Sequence, residues 1–288
     1  MAHPRGTKSA LAPPYFLRTV CSPVVPAIIV ESLLESWRYR ELIYFFAWRD
    51  VKVRYKQAVL GAAWAVLQPL LSMVVFTVVL GRLANVPSDG APYPVFAYAG
   101  LSLWTYFSGV LNQGGQSLIA NANLLAKVYF PRIALPFSAS AAGVLDLAIA
   151  LGFLAPLMAY YGVPLGWPAL LTPLFLLVLI AFTTALSLIV AALNVAYRDI
   201  KYVLPLIIQL GLFVTPVVYP ASFVPDRYRP LLALNPLTGV MEGFRGCLLS
   251  NEWPDPWLTT TSCVTTTVLL AFGLLYFHRM ERTFADVV

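Results

Sequence analysis

The chain is short of the residues that most enzyme chemistry requires. It has 3 cysteines and 2 histidines. Cys21, Cys247 and Cys263 show neither metal-ligand nor redox spacing, and His3 and His278 stand far apart, so neither a zinc site nor a thiol nucleophile is indicated. No lysine follows a glycine, which excludes the phosphate-binding loop that ends in Gly-Lys and ATP binding of that kind. Asp146 is the only carboxylate within the apolar stretches, so the paired carboxylates of glycosyl transfer or hydrolysis are missing. Charged residues make up 11% of the chain, against about 25% in ordinary soluble domains.

Apolar surface takes their place. The chain is 59% hydrophobic with a mean hydropathy of +0.76, and a soluble core so apolar would leave too little polar surface to cover it. The fold class that follows is an all-α polytopic membrane protein. Crossing a hydrocarbon core of roughly 30 Å takes about twenty residues. Charge-poor runs of that length fall at 62–80, 94–113, 137–161, 169–197, 202–220 and 257–277, giving about six transmembrane helices. The fourth is long enough to tilt or to project inward. Residues 1–30, broken by Pro13, Pro14, Pro23 and Pro26 and lacking a leader-type cleavage pattern, read as a flexible cytoplasmic tail before a single domain over 31–288.

A net charge of +6 and a pI near 9.3 would suit nucleic acid. The cations, however, cluster beside the apolar runs, where they set topology and meet lipid headgroups, so no nucleic-acid partner is expected. With the amino terminus inside, Arg82, Arg227, Arg229 and Arg245 lie outside and the other 15 of the 19 basic residues lie inside, which makes both termini cytoplasmic.

The basic residues gather most densely just before the first span, and no charge appears between Lys56 and Arg82. On a helical wheel Arg38, Arg49, Lys52 and Lys56 share one side, and Tyr44, Ala47, Trp48, Val51, Tyr55 and Ala58 form an apolar stripe on the other. This predicts an amphipathic interface helix over 38–60, lying on an anionic membrane face.

Two inner loops have the character of docking elements. Asn121 and Asn123 can cap a short helix through Leu124, Leu125 and Lys127 that ends before Pro131. Tyr197 to Lys201 is a compact charged turn containing Arg198 and Asp199; either loop would serve equally as a topological anchor. Outside, the region 221–256 is too apolar for an ordinary loop and too short for two spans. Asn235 can accept from early amide hydrogens and Pro236 suits the first helical position, so short helices dipping part-way into the outer leaflet are predicted, with an external helical hairpin as the alternative. Asp146 either pins helix packing or lines a wet cavity, and Gly114-Gly115 marks a helix end or a close helix contact.

Several stretches resemble one family in order and spacing. The run Arg54 to Pro69 (RYKQAVLGAAWAVLQP) is similar to the entry of the first span in ABC-2 type permeases that export bacterial cell-surface polysaccharides. Gly100 to Phe107 (GLSLWTYF), Asn121 to Pro131 (NANLLAKVYFP), Tyr197 to Ile200 (YRDI) and Asn235 to Arg245 (NPLTGVMEGFR) resemble the same family, and together the matches span most of 41–277. Membrane subunits of O-antigen exporters are the most similar, with teichoic acid exporters next. The resemblance implies a non-enzymatic transporter subunit in the bacterial inner membrane. It further implies a homodimer served by two copies of a separate ATP-binding subunit, which holds ATP and Mg, and a cargo of undecaprenyl-pyrophosphate-linked glycan. Carried onto this sequence, it makes Arg49 to Leu60 the interface helix at the membrane surface; Arg49, Lys52, Arg54 and Lys56, the cations just before the first span and so nearest the inner leaflet where such a cargo must be met, are candidates for its headgroup, or else hold only topology and lipid headgroups. Asn121, Asn123, Leu124, Leu125, Lys127, Tyr129, Arg198 and Asp199 become candidates for coupling to the ATPase, and Asn235, Pro236, Glu242 and Arg245 for an outer gate. Trp64, Phe76, Tyr98, Trp104, Tyr106 and Phe107, in the first two spans, could stack on sugars along a channel with Asp146 nearby, or could be interfacial and packing aromatics.

Other readings predict different sequences. An exporter of teichoic acid or capsular polysaccharide keeps the same pattern, whereas one for a drug or small lipid needs a greasier route and little outer structure. An ion-driven carrier needs several buried ionisable groups and an internal repeat. A scaffold that only anchors a glycosyltransferase complex is also compatible with the composition.

Overall fold

The computed structural model describes residues 34, 37–56, 61–128, 130–197 and 199–284. Among them the regular structure is all helical: α1 Arg40–Lys56, α2 Trp64–Phe76, α3 Tyr93–Ala120, α4 Ala122–Leu125, α5 Ala134–Tyr160, α6 Thr172–Ala196, α7 Ile200–Val214, α8 Arg229–Ala233, α9 Pro236–Arg245 and α10 Pro256–Phe284. The tail at 1–30 and residues 57–60 of the interface helix lie outside the described residues.

Among the described residues four stretches are long and apolar enough to cross a membrane: Gly61–Leu83, Ala134–Tyr160, Trp167–Ala196 and Pro256–Glu281. The first joins α2 to a π-helical continuation over Thr77–Leu83. It opens at Gly61 with φ +48°, a left-handed backbone that glycine adopts without a Cβ penalty. Helix α3, at 28 residues, is as long as these but carries Ser, Thr, Asn and Gln among its apolar residues. Helix α7 is apolar throughout its core yet has only 15 residues, about 22 Å at 1.5 Å per residue. The fifth span, expected at 202–220, therefore stops early. Thr215 precedes Pro216, and the proline ring disfavours helical backbone there; Thr215 duly turns extended at φ −86° and ψ 140°.

Helix α3 is the axis of the bundle. It packs against α5 and α6 along most of its length, and against α2 and α7 on its remaining sides, while α6 packs on α10. One large apolar cluster holds Tyr98, Trp104, Phe107, Phe175, Phe182, Met241 and Phe244; a second, with Phe46, Leu118, Phe130, Leu188 and Phe277, closes the end near α1 and α4. Gly114 and Gly115 sit where α3 meets α6. A Cβ on Gly114 would fall on the Ser187 hydroxyl, and one on Gly115 would come within 2.6 Å of Val190 Cγ1. The close approach lets the Asn194 side-chain amide donate to the Gly115 carbonyl oxygen at 2.9 Å. Tyr106, Ser140 and Thr184 add a hydroxyl chain across α3, α5 and α6, with steps of 3.0 and 2.7 Å. Such contacts substitute for a hydrophobic driving force between helices in lipid.

Helix α9 begins as its sequence predicts. Asn235 is the N-cap, its side-chain oxygen accepts from the Leu237 amide at 3.1 Å, and Pro236 takes the first position. The other end of the same amide donates to Thr215 Oγ1 at 2.9 Å, tying the start of α9 to the end of α7. Asn235→Ala is expected to lower stability by about 1–2 kcal/mol through the lost cap. The check is a lower thermal midpoint in detergent, with Asn235→Asp keeping the cap and most of the stability.

Candidate functional site

The four collar cations part company on α1. Its apolar stripe does not lie wholly toward lipid. Phe46, Ala47 and Val51 are buried, Ala47 and Val51 against Ala142 of α5, while Tyr44, Phe45, Trp48 and Val53 are exposed. The stripe expected to hold both Tyr44 and Tyr55 is thus rotated, because α5 supplies a better apolar partner for part of it than the membrane surface does. Arg49, Lys52 and Lys56 share the outward side with Phe45, Trp48 and Val53, around an open groove of about 400 Å³. There Arg49 pairs with its neighbour Asp50 at 2.8 Å and lies over the Phe46 ring, and Lys52 sits over Trp48.

Arg54 turns the other way. It forms an ion pair with Asp146 of α5 and donates to Gln113 Oε1 of α3 at 2.6 Å. The Tyr55 hydroxyl donates to the other oxygen of the same Asp146 carboxylate. These four side chains stand in one cavity of about 380 Å³ between α1, α2, α3 and α5. Trp64, Gln68, Ser102, Thr105, Tyr106, Ser108 and Asn112 also line it, and Arg54 and Asp146 are its two charged residues. Asp146 consequently both ties helices together and lines a polar cavity. Sequence reasoning placed Arg54 and Asp146 on separate elements and did not join them; Gln113 and Asn112 were not singled out at all. One signal was there to use: a lone carboxylate in an apolar span needs a cation, and the collar supplies the nearest ones in a helical bundle.

The aromatics of the first two spans divide similarly. Trp64 and Tyr106 border the cavity. Tyr98, Trp104 and Phe107 are buried in the main core, Tyr98 donating to the Ala150 carbonyl at 3.0 Å and Phe107 stacked on Phe182. Phe76 is half-buried against the same core.

At the end of the bundle near α4, Asn121 occupies the N-cap position of that helix, but its side-chain amide reaches back to the Ser117 carbonyl at 2.8 Å and makes no capping bond, so the predicted cap is positional only. Leu124 and Leu125 are partly buried against the cluster around Phe46 and Phe130. Asn123, Ala126, Lys127 and Val128 form the exposed side of this turn. Asp199 is exposed at the start of α7. Tyr129 and Arg198 lie outside the described residues.

At the end of the bundle where α7 stops, α9 secures the stretch that follows it. Arg245, 3% exposed, donates to the Pro216 carbonyl at 2.8 Å and to the Val217 carbonyl, with its guanidinium carbon 3.8 Å from the centre of the Phe96 ring. Glu242 accepts from the Ala221 amide at 3.1 Å, and the Tyr93 hydroxyl donates to the Val218 carbonyl at 2.7 Å. Buried irregular backbone must find partners within the protein, and Glu242 and Arg245 provide them here. Burial lowers Arg245 to about 10, with Glu242 acting against that shift, so the guanidinium remains a cation at neutral pH. Burial raises Glu242, and Arg245 opposes the rise. A cavity of about 710 Å³ opens beside these two residues, bordered also by Asp89, Arg229 and Trp257. Among the described residues no group of three or more His, Cys, Asp or Glu is placed to hold a metal ion.

Comparison with known proteins gives this geometry its context. The family model described as ABC-2 type transporter matches residues 41–249. The chain is 30% identical over 266 residues to the O-antigen export system permease protein RfbA of Myxococcus xanthus, covering 90% of this chain and 100% of that one. It is 26% identical to an O-antigen export system permease protein RfbA of Klebsiella pneumoniae, over 86% of this chain and 95% of the relative. It is also 22% identical to the polysialic acid transport protein KpsM of Escherichia coli, over 81% and 91%.

Proposed function

We propose that this chain, which belongs to the ABC-2 type transporter family, is the membrane subunit of an ATP-driven exporter that moves a lipid-linked, O-antigen-like polysaccharide outward across the bacterial inner membrane. The observation that carries this is the match to an O-antigen export permease over the whole of that relative and 90% of this chain. The similarity to a polysialic acid transport protein keeps the cargo within cell-surface polysaccharides. The working unit is a homodimer with two copies of an ATP-binding subunit, which carry ATP and Mg, docked at the inner face where both termini lie. The turn at Asn123 to Val128 and the start of α7 at Asp199 are the coupling surfaces. The collar meets the lipid-linked pyrophosphate: Arg49, Lys52 and Lys56 draw anionic headgroups to the membrane face, and Arg54 receives the phosphate in the polar cavity, where its planar fork suits two oxygens at once. Asn235, Glu242 and Arg245 hold the outer gate in shape.

Reconstitution in lipid nanodiscs tests the reading. The chain alone is expected to hydrolyse no ATP, and hydrolysis is expected to appear when its ATP-binding partner joins and to rise with a lipid-linked glycan. In cells, loss of the chain should strip the polysaccharide from the surface and leave lipid-linked material inside. ATP hydrolysis by the lone chain, or normal surface polysaccharide in cells lacking it, would overturn the assignment.

A further inference from the structure

Arg54 is already occupied, and the manner of its occupation is informative. The ion pair with Asp146 fills one terminal nitrogen of the guanidinium, and the 2.6 Å bond to Gln113 Oε1 fills the other. Two oxygen acceptors from two different helices thus sit on one fork, the arrangement that a single phosphate supplies with two of its own oxygens. Asp146 is held in turn by the Tyr55 hydroxyl, so adjacent residues of α1 grip both oxygens of one carboxylate on α5. The surrounding wall mixes polar side chains, Gln68, Ser102, Thr105, Ser108 and Asn112, with apolar ones, among them Trp64, Val110 and Leu147. With the pair intact the cavity is formally neutral, and an anion gains the Arg54 fork only by displacing Asp146 from it. A carboxylate that did nothing but secure α1 to α5 would not need to share its cation with a glutamine in a cavity with room for another group.

We infer that Asp146 and Gln113 are internal stand-ins for a phosphate headgroup, competitors that occupy Arg54 in the resting chain and yield it to an incoming phosphate oxyanion. This rests on the headgroup reading of Arg54 given above and adds a regulatory element to it. Ligand phosphate replaces the carboxylate on Arg54, frees Asp146, and so loosens the tie between α1 and α5. Headgroup arrival would then be felt by the helix that lies along the inner surface. The competitor also sets selectivity, because an anion must outbid a preformed ion pair, which favours the higher charge of a diphosphate over the single charge of an ordinary phospholipid.

The test measures binding to the full chain with its ATP-binding partner in phosphatidylcholine nanodiscs. The probes are a polyprenyl diphosphate, inorganic pyrophosphate in solution, and phosphatidylglycerol added to the bilayer. Asp146→Asn keeps an acceptor for Tyr55 but removes the competing charge, and it is expected to bind the polyprenyl diphosphate about tenfold more tightly than the parent chain, equivalent to ~1.4 kcal/mol. Gln113→Met, which leaves the ion pair intact, should tighten it in the same direction by less and serves if the first variant folds poorly. Arg54→Ala should lose the binding, and Arg54→Lys should recover little of it. A purely structural tie predicts the opposite sign, since cutting it would weaken or leave unchanged the binding of any ligand. If Arg54→Ala abolishes binding while neither Asp146→Asn nor Gln113→Met tightens it, the competitor is refuted and the headgroup site stands. If Arg54→Ala binds the polyprenyl diphosphate normally, the headgroup site itself is refuted, and the competitor with it. Tightening seen only with inorganic pyrophosphate would assign the cavity to a soluble anion and overturn the lipid reading, and equal tightening for phosphatidylglycerol would overturn the selectivity.

Discussion

Arg245→Ala should unfasten the stretch that follows α7, with a large fall in thermal midpoint and little folded protein recovered in mild detergent. The guanidinium is almost fully enclosed and satisfies the carbonyls of Pro216 and Val217 while covering the Phe96 ring. Removing it leaves two buried acceptors without donors, at about 1–3 kcal/mol each, together with a void where the side chain lay. Lysine is not a repair, because a single ammonium cannot span two successive carbonyls and lie flat on an aromatic face. Arg245→Lys is therefore expected to fall between the parent chain and the alanine variant. Gly100→Ala should reproduce the defect from the opposite side, since a Cβ there would strike both the Arg245 guanidinium and the Val217 carbonyl oxygen. Parent-like melting of Arg245→Ala would mean that the stretch after α7 is held by something other than this residue.

That prediction also shows what the sequence could and could not convey. Asn235-Pro236 carries its own local logic, a cap and a proline at the first helical position, and the helix begins there. The apolar runs are equally local, and a helix of the structure lies along each of them. The fifth was misjudged through Thr215-Pro216, where hydropathy continues but backbone geometry does not. Arg245 was visible as a charge in an apolar neighbourhood, yet its partners are backbone carbonyls, which every residue possesses and no pattern marks. The cavity was hidden for a different reason. Arg54, Gln113 and Asp146 belong to three helices far apart in the chain, and nothing in the local sequence of any one of them names the other two. The apolar stripe of α1 was read against a membrane surface, but α5 took Ala47 and Val51, a tertiary choice that amphipathic periodicity cannot anticipate.

Two glycines of α3, Gly109 and Gly114, are expected to respond in opposite ways to the same kind of change. Gly109 has open space around its missing Cβ, so Gly109→Ala should be neutral or should stabilise the helix by about 0.5–1 kcal/mol through backbone entropy. Gly114 has none: its Cβ would fall on Ser187, and one turn of α6 further on Val190 presses against Gly115 in the same manner. Gly114→Leu should force α3 and α6 apart, break the Asn194 bond to the Gly115 carbonyl, and cost at least the ~1–3 kcal/mol typical of overpacking. The milder Gly114→Ala allows a cycle with Ser187→Gly, which removes the opposing hydroxyl; the double variant should recover much of the loss, giving a coupling of about 1 kcal/mol or more in thermal or denaturant unfolding. Additive effects would show that the crossing is not set by this contact. The consequence reaches the cavity, because Gln113 immediately precedes Gly114, about 100° round the same turn, and is bonded to Arg54. A helix displaced at Gly114 carries Gln113 away from that guanidinium, so Gly114→Ala should alter headgroup binding as well as stability, whereas Gly109→Ala, with nothing to displace, should leave the fold unchanged.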